Sequence, residues 1–411
     1  MKGLDVQTIK RDFPIFKVKV NGKKITYLDS AATSQKPISV INAISDYYKN
    51  YNSGIGHGAH SLSEKATEAY MNAKGKVAKL INAESTEQII YTKNTTDSLN
   101  LVAQSWGEHN IGKGDHILLT ELEHHSNIIP WLMLAKRKGA IIDYIKLDKQ
   151  RFELNQNSIE EQIEKSPKIV SISQCSNVLG TISDVRSIAK MAHKQGSVVM
   201  IDGAQSVPHM ETDVQQIDCD FLAFSGHKVL GPTGIGVLYG KRELLESMQP
   251  LSGGCHMAVD ASFHGFNENV LPWKLEAGTA NIEGGIVLGT AIDYLKKVGL
   301  KNVREHEKKL TKYALTRMSE IKQVSITGLP ASALERRTGI VSFEIDGVHM
   351  KDIMNSFDKE GIAMRVGYHC AMPLVKDVLK KKEGVARISF YLYTSEEDID
   401  KAIAVIGKMR K

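Results

Sequence analysis

Between about residues 89 and 240, short apolar runs rich in β-branched residues alternate with longer amphipathic stretches. No other feature of the chain constrains its fold as much. "IIYT" at 89 precedes "NTTDSLNLVAQSW", whose apolar spacing is helical. "HILLT" at 116 precedes "SNIIPWLMLAKRKG", a helix with Gly139 at its end. "AIIDYIKL" follows, then "KIVSISQ" at 168, a helix from Asp184 to Gln195, and "VVMID" at 198. "DFLAFS" and "GVLYG" close the series. Strands that alternate with helices predict right-handed crossovers and a mostly parallel α/β sheet covered on both faces.

The chain has 411 residues, more than one typical core organises, so a large and a small domain are expected. From about residue 291 the pattern changes. Two helix-like stretches run from about Ile286 to Lys322. Strand-like "GIVSFEI", a helix near Met350 to Lys359, "IAMRV", "ARISFYLY" and a last helix from Ser395 complete a smaller α+β domain. The expected division is a segment 1–25 that packs with the small domain, a large domain 26–290, and a small C-terminal domain 291–411.

The net charge of +6 is thin for this length and does not argue for nucleic acid. The four cysteines, Cys175, Cys219, Cys255 and Cys370, are far apart and form no CxxC pair, so neither a metal site nor a disulfide framework is expected. The start, "MKGLDVQTIKRDFPIF", lacks the apolar core of a signal peptide, and no apolar run is long enough to span a bilayer. A cytoplasmic protein with no membrane partner is the expectation.

In an open parallel sheet, ligands bind outside the carboxyl ends of the strands. Lys228 lies just past "DFLAFS", and Asp202 just past "VVMI". "EHHSN" at 123–127 follows "HILLT", "NTT" at 94–96 follows "IIYT", and "SQCSN" places Asn177 at a fifth strand end. Each alone reads as a cap or a loop residue. Together on one rim they suit one chemistry. A lysine forms a Schiff base with an aldehyde cofactor. An aspartate facing a pyridine nitrogen keeps it protonated and makes the ring an electron sink. Donors at a helix N-terminus, with Ser225 and His227 beside Lys228, hold a phosphate. His124 is placed to stack on such a ring. This outlines a pyridoxal phosphate site, although a lysine and an aspartate on a sheet rim also suit other anion-binding enzymes.

"YLDSAATSQKP", "NTTDSLNLVA", "EHHSNIIPW", "NVLGTI", "DGAQSV", "FSGHKVLGPTGIGVLYG", "EAGTANIEGG" and "RVGYHCAMPL" follow in order from Tyr27 to Leu374. The series resembles the class V aminotransferase family of fold-type-I pyridoxal-phosphate enzymes, and within it the SUF-type (group II) cysteine desulfurases. The resemblance implies that Lys228 carries the cofactor, Asp202 pairs with its ring nitrogen, and Gln205 bonds its ring hydroxyl. His124 would stack on the ring and share in proton transfer. Thr95, Thr96, Ser225 and His227 would hold the phosphate, with Thr279 reaching it from the other subunit of a homodimer. Arg387 would clamp the substrate carboxylate, with Asn177, Arg365 and the backbone at Ala31 nearby. Cys370 would be the nucleophile that takes sulfur from L-cysteine, leaving L-alanine and a persulfide. A sulfur-acceptor protein of iron–sulfur cluster assembly would then collect that sulfur.

The thiol's setting agrees with that role. Cys370 adjoins His369, follows Arg365 on one loop, and precedes a helix expected at "PLVKDVLKKK"; a helix N-terminus and nearby cations both favour a thiolate. Two stretches depart from the family pattern. Relatives commonly carry His and Arg where this chain has Gly56 and His57, although His60 and the "SLSE" capping box remain. Cys255 and His256 stand where relatives have small residues, so Cys255 is either a sulfur relay or simply a small residue after two glycines. Selenocysteine lyase, with the same fold, cofactor and thiol loop, is the nearest alternative activity. A class V aminotransferase without sulfur chemistry needs no loop cysteine. A scaffold protein has no use for Lys228, Asp202 and Arg387 together.

Overall fold

The structure is a computed structural model that describes residues 4–56 and 58–409. His57 lies outside the described residues. Seven strands form the main sheet, in the order Ile89–Thr92, Gly236–Gly240, Phe221–Ser225, Val198–Asp202, Ile169–Ser173, His116–Thr120 and Ile141–Ile145. All neighbours pair in parallel except Gly236–Gly240, which runs antiparallel to both of its partners. The five strands from Ile169–Ser173 to Ile89–Thr92 are almost wholly buried, as their near-continuous apolar runs require.

Side chains alternate between two cores, one on each face. Leu118, Val170, Ile172, Val199, Ile201, Leu222 and Phe224 enter the larger core. Ile117, Leu119, Ile169, Met200, Phe221 and Ala223 enter the other. Burial of each Leu, Ile, Val or Phe contributes roughly 1.5–3 kcal/mol, so the doubly packed strands are the rigid part of the molecule.

Register then sets the rim. Asp202 lies opposite Ala223 on one side and Ser173 on the other. Ser225, Gly236 and Thr92 form a second row at the same end. An added Cβ at Gly236 would lie 2.4 Å from Asn94 Cα, so only glycine lets that strand pass against the Asn94–Thr96 turn. Helix Thr95–Val102 starts there, with Asn94 Oδ1 accepting the Asp97 N–H at 3.0 Å. Helix Ile129–Lys138 ends at Gly139 in the left-handed region, and Asp184 caps Val185–Lys194.

A four-stranded antiparallel sheet follows in the order Val324–Thr327, Ile340–Ile345, Val385–Ser389, Arg365–Gly367. Helices Leu300–Ser319, Met350–Lys359 and Glu396–Lys408 pack on it around a separate core. Thr26–Tyr27 pairs in parallel with Ile362–Ala363, and Lys10 forms an ion pair with Asp398. No helix among the described residues is long and apolar enough to cross a membrane.

Several local expectations change. "IAMRV" splits, because Ile362–Ala363 pairs with the N-terminal segment while Arg365–Gly367 joins the small sheet. Helix Ser61–Ile81 is capped by the His60 ring, not by Ser61. The segment after Cys370 forms a wide π-type turn, Pro373–Val378, rather than an α-helix. A hairpin of Ala258–Ser262 and Gly265–Glu268, with Phe263 and Phe266 exposed, gave no strand signal in the sequence.

Candidate active site

A cavity of about 390 Å³ opens at the carboxyl end of the main sheet, between it and the small sheet. Ala31, Thr95, Thr96, His124, Asn177, Asp202, Gln205, Ser225, His227, Lys228, Arg365, Cys370 and Arg387 all line it. Of the residues given a place in the cofactor and substrate site, Thr279 does not line it, and neither does Cys255. Thr279 stands exposed on the loop between Trp273–Leu275 and helix Ile282–Val298. That loop is anchored by Glu276, a buried carboxylate that accepts from Lys74, from Tyr70 and from the Tyr91 N–H.

Lys228 ends the single helical turn Gly226–Lys228 that follows strand Phe221–Ser225. Desolvation lowers its amine to about 8, against the pull of Asp202. Asp202 is itself buried, which raises its carboxyl, while the Ala204 N–H bonds Oδ1 at 2.9 Å and favours the anion. His124 is lowered to about 3, by burial first and then by the charge of Lys228. Its ring is therefore neutral at pH 7. Its Nδ1 accepts the Ser126 N–H at 3.1 Å, which assigns the ring proton to Nε2. Burial, followed by Lys228 and Lys36, lowers His227 to about 4.

The start of helix Thr95–Val102 is a set of hydroxyls. Ser225 Oγ accepts the Thr95 N–H at 2.8 Å and pairs with Thr95 Oγ1 at 2.6 Å. Thr96 Oγ1 pairs with Ser126 Oγ at 2.6 Å. Hydroxyls and helical N–H groups at one helix start form a site for an anion.

Across the cavity, Arg365 and Arg387 are direct cross-strand partners. Like charges so placed repel, and Asp29 relieves them. Its Oδ1 accepts from Arg387 Nη2 at 3.0 Å, and its Oδ2 lies 3.3 Å from Arg365 Nη2. Arg387 Nη1 donates to the Asn177 carbonyl at 2.8 Å, and its buried Nε has no partner among the described residues. Asn177 Nδ2 donates to the His369 carbonyl at 2.7 Å, which ties the thiol loop to the main sheet. His369 and Cys370 both lie in the left-handed region, with φ of 51° and 57°, and the Cys370 residue is exposed.

Sequence reasoning missed Asp29, Glu123 and Ser126, and it placed His369 beside the thiol, where burial lowers the imidazole to about 3 and leaves it neutral. Asp29 lay within the quoted "YLDSAATSQKP", but its task of neutralising two arginines emerges only from strand pairing some 360 residues away. Glu123 is buried and accepts from Thr120, Asn127 and both the N–H and hydroxyl of Ser173, so it fixes the turn that carries His124. His369 is buried at the cavity wall, and its Nδ1 has no partner among the described residues.

The family profile described as aminotransferase class-V matches residues 26–402. The chain belongs to the class-V aminotransferase family. Among members of this family it is 48% identical over 399 residues to a protein of Halalkalibacterium halodurans named probable cysteine desulfurase, covering 97% of this chain and 96% of that one. A protein of Staphylococcus epidermidis with the same name is 47% identical over 99% of this chain and 97% of its own. The apo structure of a cysteine desulfurase from Thermococcus onnurineus superposes with a TM-score of 0.93 at 35% identity, covering 100% of this chain and 98% of that one. The Escherichia coli cysteine desulfurase CsdA, in an S-sulfonic acid form, gives 0.89 at 35% identity over 99% and 98%. As a class-V aminotransferase fold, the chain is an α/β protein with a large, mostly parallel sheet flanked by helices.

Proposed function

We propose that this chain is a pyridoxal-phosphate-dependent cysteine desulfurase that converts L-cysteine to L-alanine and a persulfide on Cys370. One observation carries the reading. Cys370 opens onto the same cavity as Lys228, Asp202 and Arg387. An aminotransferase without sulfur chemistry needs the last three but not the thiol.

The residues fit the cofactor. Gln205, which lines the cavity, donates Nε2 to the Ala31 carbonyl at 2.7 Å, and its buried Oε1 has no partner among the described residues. That orphaned acceptor suits the ring hydroxyl, the Asp202 carboxylate suits the ring nitrogen, and the hydroxyls of Thr95, Thr96 and Ser225 suit the phosphate. When bound, pyridoxal phosphate supplies an electron sink for the substrate's Cα–H electrons.

The chain's own groups do the rest. Arg387 makes one bond from each terminal nitrogen and so keeps a second N–H on each, which suits an incoming carboxylate. Lys228, with an amine near 8, releases and accepts a proton at the substrate Cα close to neutral pH. Neutral His124 would stack on the ring and offers its Nε2 proton. The Cys370 thiolate attacks the substrate Sγ. An S–S bond forms, the Cβ–Sγ bond breaks, and its electron pair stays on carbon, where protonation completes alanine. The exposed position of Cys370 leaves the new persulfide open to a protein acceptor.

The same reading makes the protein a cytoplasmic homodimer that feeds iron–sulfur cluster assembly. Thr279, exposed and outside its own cavity, reaches the partner's phosphate site. Production of alanine and sulfide from cysteine, with and without candidate acceptors, tests the activity. A colourless protein that stays so after cofactor addition, or alanine formed without protein-bound sulfane sulfur, rejects it.

A further inference from the structure

The carbonyl of His227 is the last peptide oxygen before Lys228. Four donors from one short segment converge on it. They are Thr33 Oγ1 at 3.1 Å, the Ser34 N–H at 3.1 Å, Ser34 Oγ at 2.9 Å and Lys36 Nζ at 2.8 Å. A carbonyl oxygen offers two lone pairs. It is oversubscribed and stays bonded whichever way the two hydroxyls turn.

Lys36 is the unusual member of the set. Its Nζ also donates to the Ser34 carbonyl at 2.6 Å and lies 3.2 Å from Ser34 Oγ. Every partner is an uncharged oxygen, and no carboxylate pairs with it among the described residues. Burial without a counter-charge lowers this amine to about 7. An ammonium taken out of water with no anion beside it is costly, and an apolar side chain of similar length would avoid the cost. Lys36 does not line the cavity, so it does not touch substrate or cofactor.

The same segment holds the rest of the site. Ala31 accepts from Gln205, the Ala31 N–H donates to Ser389 Oγ, and Asp29 bonds Arg387 two residues along the same strand. Ser34 Oγ also accepts the Leu230 N–H beyond the lysine turn. Residues 29–36 thus fix the lysine turn against both the ring site and the carboxylate site.

We propose that Lys36 is a positioning residue for Lys228: by holding the His227 carbonyl it fixes the peptide from which the Lys228 amine projects. This rests on reading Lys228 as the cofactor lysine.

Full-length Lys36→Met and Lys36→Arg test it, loaded and stripped of cofactor. In the stripped protein, amide hydrogen exchange over residues 226–231 should rise about tenfold in Lys36→Met, return toward the parent in Lys36→Arg, and leave the central strands unchanged. In the loaded protein, solvent-deuterium exchange at the Cα of L-alanine requires a Lys228 amine but not Cys370. It should fall about ten- to a hundredfold in Lys36→Met at unchanged cofactor content and unchanged alanine KM, and Lys36→Arg should recover most of the loss. Should Lys36→Met fail to fold, Thr33→Val strips another donor from the same carbonyl and is read in the same way. Unchanged local exchange, or a loss of rate that only follows cofactor content or loosening of the whole sheet, overturns the proposal. Borohydride fixing of cofactor to a lysine other than 228 in the parent overturns the underlying reading, and this inference with it.

Discussion

The backbone N–H of His125 donates to the carbonyl of Cys370 at 2.7 Å, and the His125 ring accepts the Met372 N–H at 2.9 Å. The thiol loop is therefore fastened to the residue next to His124. Both ends of the proposed chemistry, ring face and nucleophile, share one turn of chain. His125→Ala removes the ring acceptor but leaves the backbone bond. One such hydrogen bond is worth about 1 kcal/mol, so persulfide formation should slow about fivefold with cysteine KM and cofactor content unchanged. Rapid-quench measurement of protein-bound sulfane sulfur checks this. An unaltered rate would show that the ring contact does not hold the loop.

Lys228 should be the lysine that borohydride fixes to cofactor, as read by peptide mapping. In cofactor-free protein its acylation rate should rise with pH through a midpoint of about 8. Asp202 stabilises the ammonium and so raises that midpoint, against the larger lowering by desolvation. Asp202→Asn should therefore move the midpoint to lower pH. A shift upward contradicts the assigned electrostatics.

Cys370→Ala should keep the cofactor and bind cysteine, but it should gather no sulfane sulfur. Cys175 and Cys219 are buried, and burial pushes both thiols up. Iodoacetamide should thus label Cys370 and the exposed Cys255 in the folded protein and spare the other two. Cys255→Ser should leave persulfide formation at the parental rate. Sulfur mapped to Cys255 in the parent would make it a relay and displace Cys370 from the assigned role.

Thr279 should act across a two-fold axis. A heterodimer of a Lys228→Ala chain and a Thr279→Ala chain would then contain one site with both residues intact, which binds cofactor as tightly as the parent. If Thr279 serves its own chain, the Lys228-bearing site shows the weakened affinity of the Thr279→Ala homodimer. That result, or full activity from a monomer, excludes the shared site.

Much of this architecture was legible because each element carries its own signal. "VVMID" and "DFLAFS" are apolar runs too short for helices, bounded by turn residues, and their ends place Asp202 and Lys228 on one rim whatever the loops do. Gly139 marked a helix end because its φ of 72° suits glycine. What escaped was set by distant partners. Asp29 acquires its task from Arg365 and Arg387, which face each other only once the small sheet has formed. The π-type turn at Pro373–Val378 escaped because its residues read as an ordinary amphipathic helix. The hairpin at 258–268 escaped because it exposes apolar residues where a half-buried strand would alternate.

The uneven burial of the four thiols also decides how the protein ages. Cys219 is sealed in the larger core, and Cys175 is buried in the cavity wall. Cys370 stands in the open, where a sulfur can be handed on and where an oxidant can enter by the same door. A sulfenic acid formed there is reducible, but the sulfinic and sulfonic acids beyond it are not restored by thiols. Damage would thus fall on the two exposed thiols, Cys370 and Cys255, and only at Cys370 would it strike the working atom while the fold stays intact. A preparation exposed to air should lose sulfur transfer long before it loses its colour or its melting temperature.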